Sequence, residues 1–525
     1  MEPETPIVSS PSKPRDRVLI GSALALALIP FLALVARFNF LCDDAFISFR
    51  YARNFASGLG LVFNPGVTPP VEGYSEFLWV LLISVAERLG LDAGVFARVL
   101  SIASGVALVL TLARRLLARF PDRSAAALGA LLFASTLPPL AVWSTGGMAT
   151  MAFAWAVFAC YDALFGDRDR PRPGLAALFG CLVVLLRADG AWWVAAIAGT
   201  GLACGLRADR RRLLRPALVT ASVSLLVFAA HLGWRYATYG EFLPNTARVK
   251  LGFSVRALER GGRYIGLYLL TLPSLTLALV LILGSLRSAG RRALLPALVP
   301  LIATWLYALL VGGDFMCYAR FLVPSMPFMA LLLAAPLASI EERFGRLASA
   351  AVALVLAGLS LTPAFGVHPV PEDVRAAMRF RWNSDVFETE YSQWARMKGQ
   401  AEEWKDLGIA LRKNSEPGDS LVYGAVGAVG YYSGLFIYDR NGLVTREVAL
   451  RPAATGRKSP GHDKAVPPEY FIKDQPTYLD AFLFPMKLQL PKPLRQLGMR
   501  GPIPTHARRP NLGRLGLWVR PTPPE

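Results

Sequence analysis

Charge is the scarce commodity in this chain. Only 18% of its 525 residues are charged, where a soluble globular chain carries about 25%. That shortage, set against 54% hydrophobic residues, excludes an ordinary water-facing surface. Cysteine is nearly as uninformative. Cys42, Cys160, Cys181, Cys204 and Cys317 are odd in number and scattered, with no CxxC spacing. They exclude a disulfide framework and a cysteine zinc site. No fixed-period repeat runs along the chain, so a solenoid is excluded too. Acids are outnumbered by bases, 37 to 56, giving a formal charge of +19. In a soluble protein that excess would suggest nucleic acid. Here the bases sit in short runs between apolar segments, so no nucleic-acid partner is expected.

What is abundant is long apolar sequence. A spanning helix needs about 20 apolar residues, because the hydrocarbon core is about 30 Å thick and a helix rises about 1.5 Å per residue. Eleven stretches qualify as candidates: 18–37, 97–114, 124–143, 147–165, 174–191, 190–206, 216–234, 263–286, 293–312, 321–340 and 347–364. The fifth and sixth share a boundary around 187–190. The first is read as a retained anchor rather than a cleaved signal peptide, given its length and the ten spans behind it.

The connecting segments alternate. One set holds Lys13, Arg15 and Arg17; Arg114, Arg115, Arg119 and Arg123; Arg168, Arg170 and Arg172; Arg207, Arg210, Arg211, Arg212 and Arg215; Arg287, Arg291 and Arg292; and Arg343 and Arg346. By the positive-inside rule this set, with the N-terminus, is cytoplasmic. The other set (38–95, 144–147, 187–190, 235–262, 313–320 and everything after about 365) is then extracytoplasmic. The alternation also settles residues 76–90. Counting them as a span would move the arginines of 114–123 outside, so they are read as a juxtamembrane or re-entrant helix on the outer surface. Residues 1–365 form the membrane domain, with 38–95 its first outer loop. Residues 366–525, polar and proline-rich, form a separate mixed α/β extracytoplasmic domain.

Charge at membrane depth costs about 2.5–3.5 kcal/mol per group on insertion scales, so where it persists it tends to be functional. The outer segments concentrate it at span ends. Asp43 and Asp44 follow the first span in CDDAFISFRYARN. Paired carboxylates there suit a general base or a metal, and equally a solvated helix N-terminus. In the following Gly- and Pro-rich loop, Asn64, Glu72, Tyr74 and Glu76 suit a polar cleft. Arg187 and Asp189 lie between two apolar stretches, as a local ion pair or an anion contact. The segment 234–250 offers Arg235, Tyr239, Glu241, Asn245, Arg248 and Lys250, and 312–324 offers Asp314 and Arg320. Basic groups on the outer face run against the positive-inside trend, and a phosphate-bearing ligand would explain them. His231, inside an apolar run, reads as a helix-packing residue. Carboxylates and bases on one face of a helical bundle fit a transferase using a lipid-phosphate donor. They fit a transporter or flippase of anionic solutes nearly as well.

Ordered motifs sharpen that choice. DDAFISFRYARNFASGLGLVFNPG (43–66) with VEGYSEFLW (71–79), WSTGGMATMAF (143–153), RADG (187–190), YGEFLPNTARVK (239–250), GGDFMCYARFLVPSMP (312–327), GAVGYYSGLFIYDRNGL (427–443) and GHDKAVPPEYF (461–471) run in order over nearly the whole chain. As a set they resemble the GT-C class of polyprenyl-phosphate-dependent glycosyltransferases, and within it the cell-wall arabinofuranosyltransferase-like branch. The resemblance implies a GT-C-like helical bundle in a bacterial plasma membrane. It implies inverting transfer of a sugar, for this branch a pentofuranose, from a polyprenyl-phosphate-linked donor to a hydroxyl of an envelope glycan or lipid. It also implies a general base in the acidic pair, with Asp43 slightly favoured over Asp44. Arg187, Arg248, Lys250 and Arg320 become the candidates for the donor phosphate. Arg53, Asn64, Glu72, Tyr74, Asp189, Glu241, Asn245 and Asp314 become candidates for the substrate cleft. No cofactor is assigned, a divalent cation stays open, and no ligand set has diagnostic spacing. Two positions depart from the family pattern: Ala149 stands where relatives carry Glu, and Ala425 where they often carry Asp. They leave a non-catalytic, divergent family member as the other alternative.

Overall fold

The computed structural model describes residues 14–167, 170–250, 254–286, 291–367, 371, 373–374, 388–452, 461–480, 500–502 and 517–519. Among the described residues, sixteen α-helices precede residue 365: α1 (Pro14–Arg37), α2 (Asp43–Ala56), α3 (Phe77–Arg88), α4 (Ala93–Arg119), α5 (Ser124–Ser135), α6 (Pro138–Trp143), α7 (Thr150–Phe165), α8 (Pro173–Leu186), α9 (Ala191–Gly205), α10 (Leu214–Tyr239), α11 (Asn245–Lys250), α12 (Val255–Thr271), α13 (Pro273–Ser285), α14 (Arg291–Leu310), α15 (Met326–Phe344) and α16 (Arg346–Leu361). A helix lies in each of the eleven expected spans. Among the described residues four helical stretches are long and apolar enough to cross a bilayer alone: Ala93–Arg119, Arg211–Tyr239, Arg320–Phe344 and Arg346–Phe365. The others are shorter apolar helices or broken pairs. The chain is a multi-pass membrane protein.

Where the helices differ from the expected stretches, proline is usually the cause. The stretch 124–143 breaks into α5 and α6 before Pro138 and Pro139. Proline lacks an N–H, and it pushes the preceding residue out of the helical region. The stretch 263–286 breaks at Pro273, where α12 and α13 meet at a 96° bend. Pro173 opens α8, which ends at Leu186, and α9 starts at Ala191, so the shared boundary at 187–190 is a short turn. The apolar run 76–90 forms the 12-residue helix α3. At about 1.5 Å per residue it is too short to cross a bilayer.

The C-terminal part is a small α/β unit. Helices Glu390–Asn414 and Val426–Ser433 accompany a sheet of β1 (Ser420–Tyr423), β2 (Phe436–Asp439), β3 (Tyr478–Asp480), β4 (Arg500–Pro502) and β5 (Leu517–Val519). The strand order is β2-β1-β3-β5-β4, with β1 parallel to both neighbours and β5 antiparallel to both of its own. The helix Glu390–Asn414 is capped by Thr389, whose side chain accepts from Ser392 N–H.

This unit is fastened to the first loop. The buried Arg50 on α2 donates to Gly430 O at 2.8 Å and Leu435 O at 2.6 Å, and to Phe63 O within its own loop at 2.8 Å. Asn64 donates to Ile437 O at 2.8 Å and accepts from Ile437 N–H at 3.0 Å. It thereby continues the hydrogen bonding of the sheet beyond β2, satisfying a strand edge that would otherwise be bare. Arg53 donates to Tyr431 O at 2.8 Å and lies over the Tyr431 ring.

Candidate active site

A cavity of ≈ 260 Å³ lies where the first loop, the 187–190 turn, the end of α10, the 312–321 segment and the C-terminal unit converge. Helix α2 starts immediately after the first long helix, so its first turn sits at a span end and carries Asp43 and Asp44. The two part company at once, because successive residues of a helix point about 100° apart. Asp44 lines the cavity. Asp43 does not: its carboxylate accepts from Ala428 N–H at 2.7 Å and Gly427 N–H at 3.2 Å, at the N-terminus of helix Val426–Ser433. Gly427 is required there. A Cβ added to it would collide with the Asp43 backbone carbonyl and come within 2.8 Å of Asp43 Cγ. Burial pushes the Asp43 carboxyl up to about 7 despite those two amides.

Three arginines line the cavity, and each is held by its own carboxylate. Arg187 donates to both oxygens of Asp189, at 2.8 and 2.7 Å, and to Tyr307 OH at 3.2 Å. Burial favours the neutral form of Asp189, but the Arg187 guanidinium outweighs it and holds the carboxyl below its usual range. Arg320, following two left-handed residues at Tyr318 and Ala319, pairs with Asp314 and reaches Met148 Sδ at 3.1 Å. It also interacts electrostatically with Asp44. Arg235 donates to Glu72 at 2.7 Å, both side chains no more than 2% exposed. Bidentate or enclosed pairing of this kind fixes the guanidinium plane in advance, which a flexible lysine does not offer.

Glu76 completes the wall. Its two oxygens accept from Ser48 Oγ at 2.8 Å and from Ala149 N–H at 3.0 Å, and burial raises its carboxyl. The second of these bonds caps the start of α7. It also places a carboxylate beside Ala149.

Several sequence candidates thus meet in the cavity: Asp44, Tyr74, Arg187, Asp189, Asp314 and Arg320. Others lie outside it. Arg53 and Asn64 hold the C-terminal unit, and Asn245 donates to Leu443 O at 3.0 Å. Glu241 is shared by Arg248 and Arg446, so the Arg248 charge is engaged there. Glu72 reaches the cavity only through Arg235. The Lys250 side chain falls outside the described residues. Glu76, read in the sequence as suiting a polar cleft, and Arg235, read among the outer-face bases, also line the cavity. Tyr307 stands in an apolar helix with no signal at all. His231 stacks on Trp234 and Phe77, as a packing residue would. Among the described residues no three His, Cys, Asp or Glu side chains cluster as a metal site. Asp189, Asp314 and Glu76 are already committed to Arg187, Arg320 and Ser48.

Comparison with known proteins places this geometry. Residues 389–504 match a domain family of unknown function, DUF8728. Over 229 residues the chain is 31% identical to the terminal β-(1→2)-arabinofuranosyltransferase of Mycobacterium tuberculosis, a match covering 40% of this chain and 35% of that protein. The matched region spans about a third of that curated relative. ArnT from Cupriavidus metallidurans bound to undecaprenyl phosphate superposes with a TM-score of 0.54 at 14% identity, over 84% of this chain and 89% of ArnT. The apo state of the same protein gives 0.52 at 16% identity, over 82% and 87%. The chain has the GT-C fold in a multi-pass membrane setting, and over 229 residues it resembles an arabinofuranosyltransferase.

Proposed function

We propose that this protein is a membrane glycosyltransferase that moves a pentofuranose, with inversion, from a polyprenyl-phosphate donor to a hydroxyl of an envelope glycan or lipid on the extracytoplasmic side. The observation that carries the reading is the separation of the acidic pair. Asp44 faces a cavity lined by three preoriented guanidinium groups, while Asp43 is bound to backbone amides of the C-terminal unit. The sequence preference for Asp43 as base is therefore replaced by Asp44.

In this mechanism the Asp44 carboxylate takes the proton from the acceptor hydroxyl as its oxygen attacks the anomeric carbon. The bond from that carbon to the lipid phosphate breaks, and the electron pair leaves on the phosphate oxygen. No proton is needed on the leaving group, because a phosphate is stable as an anion. Arg320 and Arg187 are the cations at hand, and their pairing with Asp314 and Asp189 holds them in place before charge develops. A transporter reading gains no comparable support: it gives no role to a cavity-lining carboxylate that interacts electrostatically with Arg320.

The test is transfer by protein reconstituted in nanodiscs, with a prenyl-phosphoryl arabinofuranose donor and an arabinan acceptor. Asp44→Asn keeps the size of the side chain and removes the base. Turnover is expected to fall by roughly 10²–10⁴-fold, the usual worth of a general base, while donor binding persists. Undiminished turnover in Asp44→Asn would refute the assignment.

A further inference from the structure

The Arg235 and Glu72 pair differs from the other two cavity pairs in what it leaves unsatisfied. Arg235 Nε is bonded to Glu72 and Nη1 donates to Phe242 O at 3.2 Å, but Nη2 is buried without any partner. Glu72 Oε1 is likewise buried and unpartnered. A third such atom, Thr246 Oγ1, belongs to another residue that lines the cavity. Native interiors rarely leave three polar atoms of one region unmatched. Arg235 and Thr246 line the cavity and Glu72 does not, so an occupant of the cavity can satisfy the first two.

The orphan atoms define the chemistry of that occupant. Arg235 Nη2 can only donate, Glu72 Oε1 can only accept when ionised, and Thr246 Oγ1 can do either. An ionised phosphate offers acceptors alone. It would satisfy Arg235 but bring a second negative charge up to Glu72, whose own charge Arg235 already balances. The pair is also neutral overall, so it presents no net attraction for an anion. A hydroxyl both donates and accepts. Of two adjacent hydroxyls on a sugar ring, one can accept from Arg235 Nη2–H while the other bonds Thr246 Oγ1, with Glu72 one guanidinium behind.

We propose that Arg235 and Thr246, backed by Glu72, form a subsite for vicinal hydroxyls of the sugar ring, separate from the phosphate contacts of Arg187 and Arg320. This rests on the glycosyltransferase reading above and adds the part of the donor that this wall recognises. A site built to hydrogen-bond a hydroxyl rejects the analogue lacking it, because its buried groups are then left unpaired.

The test measures binding, so it does not depend on turnover. Nanodisc-embedded protein is titrated calorimetrically with four probes: prenyl-phosphoryl arabinofuranose, its 2-deoxy and 3-deoxy counterparts, and the prenyl phosphate alone. Thr246→Val is nearly isosteric and removes only the hydroxyl. Arg235→Lys keeps a cation beside Glu72 and removes the second guanidinium nitrogen. Each variant is expected to weaken the full donor by roughly threefold to tenfold, the range for one hydrogen bond. Each should leave at least one deoxy donor within about twofold, and prenyl phosphate binding unchanged. Equal weakening of all probes, loss confined to prenyl phosphate, or wild-type protein that binds full and deoxy donors alike would overturn the subsite. Transfer measured on the same samples reports separately on the proposed reaction.

Discussion

Replacing Gly427 with alanine tests how the C-terminal unit is joined to the acidic motif. The added Cβ would collide with the Asp43 backbone carbonyl and stand 2.8 Å from Asp43 Cγ. Backbone lies on both sides of the contact, so no side-chain rotation relieves it. Helix Val426–Ser433 must withdraw, and that breaks the amide bonds to Asp43 at 2.7 and 3.2 Å. Each such bond to a charged group is worth about 1.5–3 kcal/mol, and overpacking adds about 1–3 kcal/mol. Partial relaxation and the surviving contacts of Arg50 and Asn64 offset some of this, which leaves about 3 kcal/mol lost from docking. At about 1.4 kcal/mol per decade, amide hydrogen exchange in helix Val426–Ser433 and in α2 should speed up by roughly 10²-fold, while α15 and α16 stay protected. Turnover should fall because Asp44 shares its helix turn with Asp43. Exchange rates within about twofold of wild type in those helices would refute the argument, since the clash and the broken bonds would then carry no energy.

Four further outcomes follow from the same geometry. Arg320→Gln leaves Asp314 buried without its cation and removes the guanidinium beside Asp44; prenyl-phosphate affinity should drop by roughly tenfold or more, the scale of a charge-assisted bond, and an unchanged Kd would remove Arg320 from the phosphate site. Asn64→Leu removes both bonds to Ile437, so limited proteolysis should release the C-terminal unit faster while detergent-solubilised α15 and α16 stay intact; equal cleavage rates would contradict the docking role. The pH dependence of docking has a definite sign. Burial raises the carboxyls of Asp43 and Glu72 to about 7 and Asp439 to about 6, so the folded state binds more protons than the unfolded one above pH 4. Stability should therefore fall as pH rises from about 4 to 7, and Asp43→Asn should flatten part of that slope in thermal unfolding of the reconstituted protein. Glu76→Gln keeps one acceptor and removes the charge beside Ala149; it should lower turnover with the protein still folded, and a fully active variant would make Glu76 a helix cap alone.

Asp43 and Asp44 show where sequence reasoning reached its edge. Their placement after a span, and their service as the first turn of a helix, follow from local patterning. Which of them faces the cavity depends on a helix almost four hundred residues further on. The same holds for the bases. Arg187 and Asp189, two residues apart, form the pair that a local reading allows. Arg235 finds Glu72 across the fold, and Arg248, equally basic in sequence, is drawn to Glu241 and away from the cavity. Proline marked the helix breaks at 138 and 273 in advance, but the apolar stretches around them still read as single spans, because hydropathy does not register a missing N–H.

By itself the sequence determined the class of protein: long apolar stretches can satisfy their backbone in a bilayer only as helices, and the arginine runs between them imply which side is which. It also determined that polar residues would gather at the ends of those helices, because charge at depth is costly. Only the tertiary structure decided which of those polar groups share one cavity and which bolt the C-terminal unit to the first loop. Both kinds of residue carry the same charges and sit in the same loops. Their roles diverge through contacts between segments distant in sequence, and those contacts exist only once the helices have assembled.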